Sequence, residues 1–307
     1  MKTILNRSLK TLTLAFFIIA LIACKNNKKT QEIQSQEETA ITGPFQEDVD
    51  FIKTYEKDLI VLESGNSMVA VAPRLQGRIM TSSANGMEGK SYGWINKAHY
   101  ELGEINPQIN VYGGEERFWL GPEGGQYSIF FENGEDFTFD KWETPRLIDL
   151  EPFDIVEQSE SKVSFTKSAS LTNYSGFTFD MQIDRTVSVI SQDETLSTLG
   201  ISSIDGLKSV GYKTENHLKN VGEKAWKKES GLLSIWMLGM FKHSETTTVV
   251  IPYTINDEKV VNVYESFGKL SDERLIEKEN VAYFKADGKY RSKIGLAPQQ
   301  AKDVLGS

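Results

Sequence analysis

The sequence is poor in cysteine and histidine, with one cysteine, Cys24, and three histidines in 307 residues. One cysteine cannot form an internal disulfide, and a thiolate or His-cluster metal site needs several such ligands at close spacing. The Gly-x-Ser-x-Gly elbow of α/β-hydrolases, the phosphate-binding P-loop and the dinucleotide fingerprint are also missing. We therefore expect no metal and no other cofactor.

Positive charge is also in short supply, with 34 lysines and arginines against 43 acidic residues and a net charge of −9. An acidic surface repels the phosphates of nucleic acids and the headgroups of anionic lipids. No nucleic-acid partner is expected, and any membrane attachment must come from a feature other than surface charge.

Long apolar runs are absent, since the run Thr11–Ala23 falls below the roughly 20 residues of a membrane-spanning helix. It follows a basic start, as in the hydrophobic region of a secretory signal peptide. Residues 21–24, Leu-Ile-Ala-Cys, resemble the bacterial lipobox, in which the cysteine is acylated. We predict a signal peptide over residues 1–23 and a lipid anchor on Cys24 in the bacterial cell envelope. Because Lys25 gives no acidic retention signal, the outer membrane is the default. The alternative is an ordinary signal peptide with an incidental cysteine.

The chain after Cys24 divides into a tether and one domain. Residues 24–45 are polar and predict a disordered tether, whereas residues 46–307 show no linker-like break. Strand patterns dominate the domain, most clearly the alternation of apolar and polar residues over Phe177–Asp184. Helical periodicity is rare, with one helix expected over Asp48–Lys57 and capped by Asp48. These patterns predict an all-β fold, a large antiparallel sandwich with few short helices.

A glycine-rich segment, Tyr112–Gly125, has the most unusual chemistry of the chain. It combines Arg117 and Trp119 with carboxylates, and two more arginines lie upstream. A tryptophan face suits a sugar ring, guanidinium groups donate hydrogen bonds in a planar fork, and carboxylates accept them from hydroxyls. The segment therefore predicts a carbohydrate site. A structural hairpin corner with a buried tryptophan and an Arg–Glu pair is an equal alternative.

Four segments resemble the galactose mutarotase-like (aldose 1-epimerase) superfamily, in particular its uncharacterised bacterial lipoproteins: Asn66–Ser82, Gly113–Glu123, Glu215–Gly222 and Ser234–Phe241. The resemblance implies a β-supersandwich with a sugar-sized cleft on its concave face. The residues expected to bind the carbohydrate ligand there are Arg74, Arg78, Glu115, Arg117, Trp119, Glu123, Asn216 and Trp236.

The same resemblance implies a mechanism in which an acid and a base open and reclose the sugar ring. The acid of the superfamily is a histidine in an Asn-His element, and Asn216-His217 is the nearest match. Alternatively, Asn216, Leu218 and Asn220 lie on one face of a strand and His217 on the other. His99 and His243 are expected to be solvated.

The base of the superfamily is a late glutamate, and here the chain departs from the pattern. None of the late carboxylates has the expected surroundings, and the polar stretch Gln299–Ser307 predicts no closing strand. The last strands of the sandwich are therefore expected to be missing. The sequence favours a lipid-anchored carbohydrate-binding protein, with an aldose epimerase-like activity left open. The alternative is a non-catalytic glycan-binding or structural lipoprotein.

Overall fold

The computed structural model describes residues 44–255 and 260–307. The predicted signal peptide, Cys24 and the tether up to residue 43 therefore lie outside the described residues. Phe45, which the sequence placed in the tether, instead begins the first helix and is fully buried. None of the helices in the described ranges has the length and apolar character of a membrane-spanning segment.

The described elements are mostly strands. The helices are α1 (Phe45–Tyr55), α2 (Lys97–Leu102), α3 (Arg146–Asp149) and α4 (Gln192–Leu199). The strands are β1 (Ile60–Ser64), β2 (Ser67–Ala72), β3 (Arg78–Ser83), β4 (Arg117–Gly121), β5 (Asp154–Gln158), β6 (Lys162–Thr172), β7 (Thr178–Ile190), β8 (Gly211–Asn220), β9 (Ser234–Leu238), β10 (Thr248–Pro252), β11 (Val261–Val263), β12 (Leu275–Glu277), β13 (Val281–Lys285) and β14 (Ile294–Leu296).

The largest sheet is antiparallel, with strand order β5-β6-β7-β8. In β7, alternate residues from Phe179 to Val189 are buried, while the residues between them are partly or fully exposed. Successive side chains of a strand point to opposite faces, so this pattern gives the sheet one core face and one solvent face. The alternation predicted from the sequence is confirmed.

The opposing layer consists of β1-β2-β3 and the pair β4-β9, which meet through a bridge between Ile79 and Glu116. Val69 of β2 and Phe118 of β4 belong to the same buried apolar cluster as Ile183 of β7. Each such side chain stabilises the fold by about 1.5–3 kcal/mol through its removal from water. Two sheets that share an apolar core form a sandwich, so the predicted all-β class is confirmed.

Helix α1 packs against β3, and its N-cap differs from the predicted one. It begins at Phe45 after Pro44, so Asp48 is not its N-cap. Asp48 is instead buried, where its carboxylate accepts a hydrogen bond from Ser91 and forms ion pairs with Lys97 and Lys242. A short polar side chain near a helix start suggests a cap, but here tertiary partners bind it.

The end of the chain contains two small sheets, β10-β13-β12 and β11-β14, around a separate buried cluster. Part of the stretch Gln299–Ser307, in which the sequence predicts no strand, forms backbone pairs. Gly306 forms an isolated bridge with Val250, and Ala301 forms one with Tyr253. The polar composition hid this pairing because backbone hydrogen bonds do not depend on apolar side chains.

Candidate functional site

The glycine-rich segment leads into β4, which pairs with β9 so that Trp119 lies opposite Trp236. Side chains directly opposite in an antiparallel pair share a face, and Arg117 is on that face because it is two residues from Trp119. The Arg117 guanidinium carbon is 4.0 Å from the centroid of the Trp119 ring. The Trp119 Nε1–H donates to the Glu123 carboxylate at 3.0 Å. Trp119 is 2% exposed, whereas Trp236 is 44% exposed.

Two glycines before β4 let the backbone approach Arg78. The Gly113 carbonyl accepts a hydrogen bond from Arg78 Nη1 at 3.1 Å. Gly114 has φ of +114°, and a β-carbon there would lie 2.9 Å from Arg78 Cδ. Only glycine tolerates both this backbone conformation and this contact.

Arg117 is paired with Asp149 of α3, with 2.7 Å between Nη2 and Oδ1. The other oxygen of Asp149 accepts two hydrogen bonds from Asn110. Burial, and then the neighbouring charge of Arg78, lower the pKa of Arg117 to about 9, although Asp149 and Glu123 oppose this shift.

Arg74 lies at the edge of the same group of residues. It donates two hydrogen bonds to the buried carboxylate of Glu56, and its side chain is 37% exposed. Its guanidinium carbon is 5.5 Å from the Tyr112 ring centroid, and that of Arg78 is 5.9 Å from it. We call Arg74, Arg78, Arg117, Trp119, Glu123 and Trp236 the arginine–tryptophan cluster.

The cluster contains buried donors without acceptors. Among the described residues, Arg78 Nε and Nη2 and Arg117 Nε and Nη1 have no hydrogen-bond partner, and neither does the Tyr100 hydroxyl. Arg78 is completely buried and Arg117 is 1% exposed. Unpaired buried polar groups are rare and costly, so they need an explanation.

Glu115, a predicted ligand-binding residue, lies outside this cluster. Its buried carboxylate accepts hydrogen bonds from the backbone N–H and the hydroxyl of Ser82. Burial raises the pKa of Glu115, against the lowering effect of these hydrogen bonds and of Tyr212. Its role in binding stays a prediction.

Asn216 and His217 also lie apart from the cluster, on β8. Asn216 accepts a hydrogen bond from Arg185 Nη1 at 2.7 Å, and Arg185 Nη2 is paired with Glu116 at 2.8 Å. His217 is exposed on the opposite face of β8, across from Asp184 of β7. The alternating-strand interpretation of this segment is confirmed, and the catalytic role of His217 stays a prediction.

His99, which the sequence predicts to be solvated, is instead half-buried. Its ring centroid is 4.6 Å from that of Tyr112, and its Nε2 is buried without a partner among the described residues. His243, by contrast, is exposed as expected. The Asn96 side chain accepts a hydrogen bond from the His99 N–H and so caps α2. Because asparagine is a preferred N-cap residue, Asn96 could have predicted this short helix from the sequence.

A cavity of about 550 Å³ lies next to the cluster. Phe130 is part of its wall, and the Phe130 ring stacks on Trp119 with 5.5 Å between centroids. In the described ranges, no group of three or more His, Cys, Asp or Glu side chains is arranged to hold a metal ion.

The chain resembles a solved structure, a galactose mutarotase-like protein from Lactobacillus casei. The match covers 77% of this chain and 67% of that chain, at 13% identity and a TM-score of 0.41. No curated protein is significantly similar to the chain in sequence. A family model described as a family of unknown function, DUF6786, matches residues 43–307, and the chain therefore belongs to that family.

Proposed function

We propose that this chain is a lipid-anchored protein of the bacterial envelope that binds carbohydrate at the arginine–tryptophan cluster. The observation that carries the proposal is the exposed Trp236 opposite the buried Trp119, with Arg117 against the Trp119 ring. An indole face offers a flat apolar surface to the C–H side of a sugar ring. The guanidinium and carboxylate groups nearby match the donors and acceptors of sugar hydroxyls.

Exposed aromatic residues are common at protein surfaces, so exposure of Trp236 alone would mean little. What distinguishes Trp236 is the polar chemistry on its own face of the β4-β9 pair. Arg117 and Glu123 both contact Trp119, the direct cross-strand neighbour of Trp236. A binding surface that combines stacking with directional hydrogen bonds is therefore the function that this geometry supports best.

The lipid anchor is proposed from the sequence alone. Residues 21–24 support acylation of Cys24, and the net charge of −9 disfavours attachment through the protein surface. Acylation also places the domain at the cell envelope, with the outer membrane as the default. A Cys24→Ser variant is expected to move from the membrane fraction to the soluble fraction, and mass spectrometry of the wild type should find acyl chains. Unchanged membrane association of the variant would contradict the anchor.

Binding is favoured over ring-opening catalysis because the proposed acid, His217, is on the solvent face of β8. An epimerase of the aldose 1-epimerase type is the second candidate. His99 supports it, since its partnerless Nε2 lies beside Tyr112, which packs on Arg74 and Arg78. Polarimetry of fresh α-glucose tests this candidate: an epimerase accelerates mutarotation, and His99→Gln removes the acceleration.

The binding function is tested by isothermal titration calorimetry of the full chain in detergent against neutral and acidic mono- and oligosaccharides. We expect Trp236→Ala to lower affinity about fivefold to tenfold, because a stacked aromatic contributes on the order of 1 kcal/mol. Its melting temperature should not change, since the side chain is 44% exposed. Tyr283→Ala, which removes a 37% exposed aromatic from β13, is the matched control. Failure of every sugar to bind, or equal loss in both variants, would contradict the proposal.

A further inference from the structure

We infer that the carbohydrate held by the cluster is acidic, and that its carboxylate is bound by Arg78 and Arg117. This inference rests on the carbohydrate-binding function proposed above and names the class of sugar. The starting observation is that every partnerless buried atom of Arg78 and Arg117 is a donor nitrogen. The Tyr100 hydroxyl, which can also donate, has no partner either.

The missing partner is an acceptor rather than a donor. A guanidinium group has five N–H donors and no acceptor, so its unpaired nitrogens can be satisfied only by lone pairs. Arg78 makes one hydrogen bond, to the Gly113 carbonyl, and Arg117 makes one ion pair, to Asp149. Two nitrogens of each therefore remain to be satisfied by a ligand.

The carboxylates of the protein nearest to these arginines are already engaged. Asp149 accepts from Arg117 with one oxygen and from Asn110 with the other. Glu56 is held by both donor nitrogens of Arg74. Arg78 is left as a buried cation with no carboxylate within ion-pair distance among the described residues.

Charge as well as hydrogen bonding therefore favours an anion. A buried unpaired charge is very costly, whereas a buried charge that binds a counter-ion with good geometry is tolerated. Guanidinium groups bind carboxylates through two parallel hydrogen bonds, and this geometry fits the planar carboxylate of a uronic acid better than a lone hydroxyl. A uronic acid therefore suits the cluster, because its carboxylate can pair with Arg78 and Arg117 while its ring stacks on Trp236.

The ligand reaches the buried nitrogens only after covering side chains have moved. Tyr112 contacts both the half-exposed Arg74 and the buried Arg78, so it is the side chain expected to shift. Because Trp119 stacks against Arg117, its fluorescence should report occupation of the site. Because binding requires this movement, association should be slower than the diffusion limit.

The test compares glucuronate, glucose and glucose 6-sulfate on the full chain in detergent, by calorimetry and tryptophan fluorescence. We expect glucuronate to bind about tenfold to hundredfold more tightly than glucose, the effect of hydrogen bonds to a charged group. Arg78→Met should abolish this preference without lowering the melting temperature, because it removes a charge that has no ion-pair partner. Arg291→Met, which removes an exposed arginine elsewhere on the chain, should leave the preference intact.

The outcomes separate the inference from the proposed function. Equal binding of glucuronate and glucose, or a preference that survives in Arg78→Met, overturns the inference and leaves carbohydrate binding standing. Tighter binding of the sulfated sugar than of glucuronate overturns the assignment to a carboxylate. If no sugar binds, both proposals are overturned. A lowered melting temperature of Arg78→Met assigns Arg78 a structural role and also counts against the inference.

Discussion

Arg78 and Arg185 are both buried arginines, one in each layer of the sandwich, but their guanidinium groups have different partners. Arg185 donates from Nε to the Gly77 carbonyl, from Nη1 to Asn216 and from Nη2 to Glu116. Arg78 donates from one nitrogen only, to Gly113. Burial lowers the pKa of both residues.

The difference separates a structural arginine from one prepared for a ligand. Every nitrogen of Arg185 has an acceptor supplied by the fold, so this residue ties β7 to β8 and to the segment before β4. Arg78 is held in place by close backbone contact but is left with unused donors. Natural proteins tolerate such unsatisfied buried groups mainly where function requires them.

The largest expected effect comes from removing each arginine in turn. Arg185→Met should lower the free energy of unfolding by about 3 kcal/mol, because it leaves Glu116 and Asn216 without their main donor. Arg78→Met should leave it unchanged or raise it, since an apolar side chain has no unpaired charge to bury. Urea denaturation of both variants measures the contrast. Equal destabilisation by the two substitutions would remove the distinction.

The next effect concerns the close approach that positions Arg78. Gly114→Ala should cost about 2 kcal/mol, because a β-carbon at φ of +114° is strained and would lie 2.9 Å from Arg78 Cδ and from the Ile79 carbonyl oxygen. Thermal denaturation measures this cost. Gly124→Ala is the control, since a β-carbon there meets nothing within 4 Å. A Gly114 variant as stable as the Gly124 variant would show that the backbone near Arg78 has room to adjust.

A smaller effect, the dependence of the free energy of unfolding on pH, distinguishes Glu115 from the cluster. Its pKa in the folded protein is raised above the ordinary 4.5, chiefly by burial. Between the ordinary and the raised pKa, the folded protein holds a proton that the unfolded chain has lost, so stability falls as the pH rises through this interval. Glu115→Gln should remove that fall and be about 1 kcal/mol more stable at neutral pH. Urea midpoints measured from about pH 4.5 to about pH 8 should converge at the acidic end. Parallel profiles would contradict the prediction.

The smallest expected effect tests whether the site favours a negatively charged ligand. Glu123→Gln keeps an oxygen that can accept the hydrogen bond from Trp119, so stability should change by less than about 0.5 kcal/mol. It removes a negative charge that acts on Arg117, so glucuronate affinity should rise about twofold. A fluorescence titration measures the change, with the exposed Glu273→Gln as the control. No rise, or the same rise in both variants, would speak against a local anion site.

Much of the fold could be predicted because strand patterns are local. The alternation in β7 and the alternative assignment of Asn216, Leu218 and Asn220 to one face of β8 both agree with the structure. Asp48 was misassigned because capping and tertiary ion pairing use the same short carboxylate, and only the neighbours from distant segments, Lys97 and Lys242, distinguish them. The closing bridges at Gly306 and Ala301 left no trace in a polar sequence.

The site could be predicted only in part, for a similar reason. The glycine-rich segment contains Arg117, Trp119 and Glu123, and the structure places Arg117 and Glu123 both in contact with Trp119. The segment did not distinguish them from Glu115, whose partner Ser82 is on another strand. The buried position of His99 Nε2 was missed because it depends on packing against Tyr112, which a short polar helix does not reveal.

The sequence by itself determined the strand-rich class of the domain, its acidic surface and the order of the arginine, tryptophan and glycine motifs, because composition and two-residue periodicity are properties of the chain. Tertiary structure alone decided which buried arginine is fully paired and which is not. Hydrogen-bond partners such as Asn216, Glu116 and Asp149 come from strands and helices far apart along the chain. Pairing of buried charge is therefore set by how the layers pack, and no local pattern encodes it.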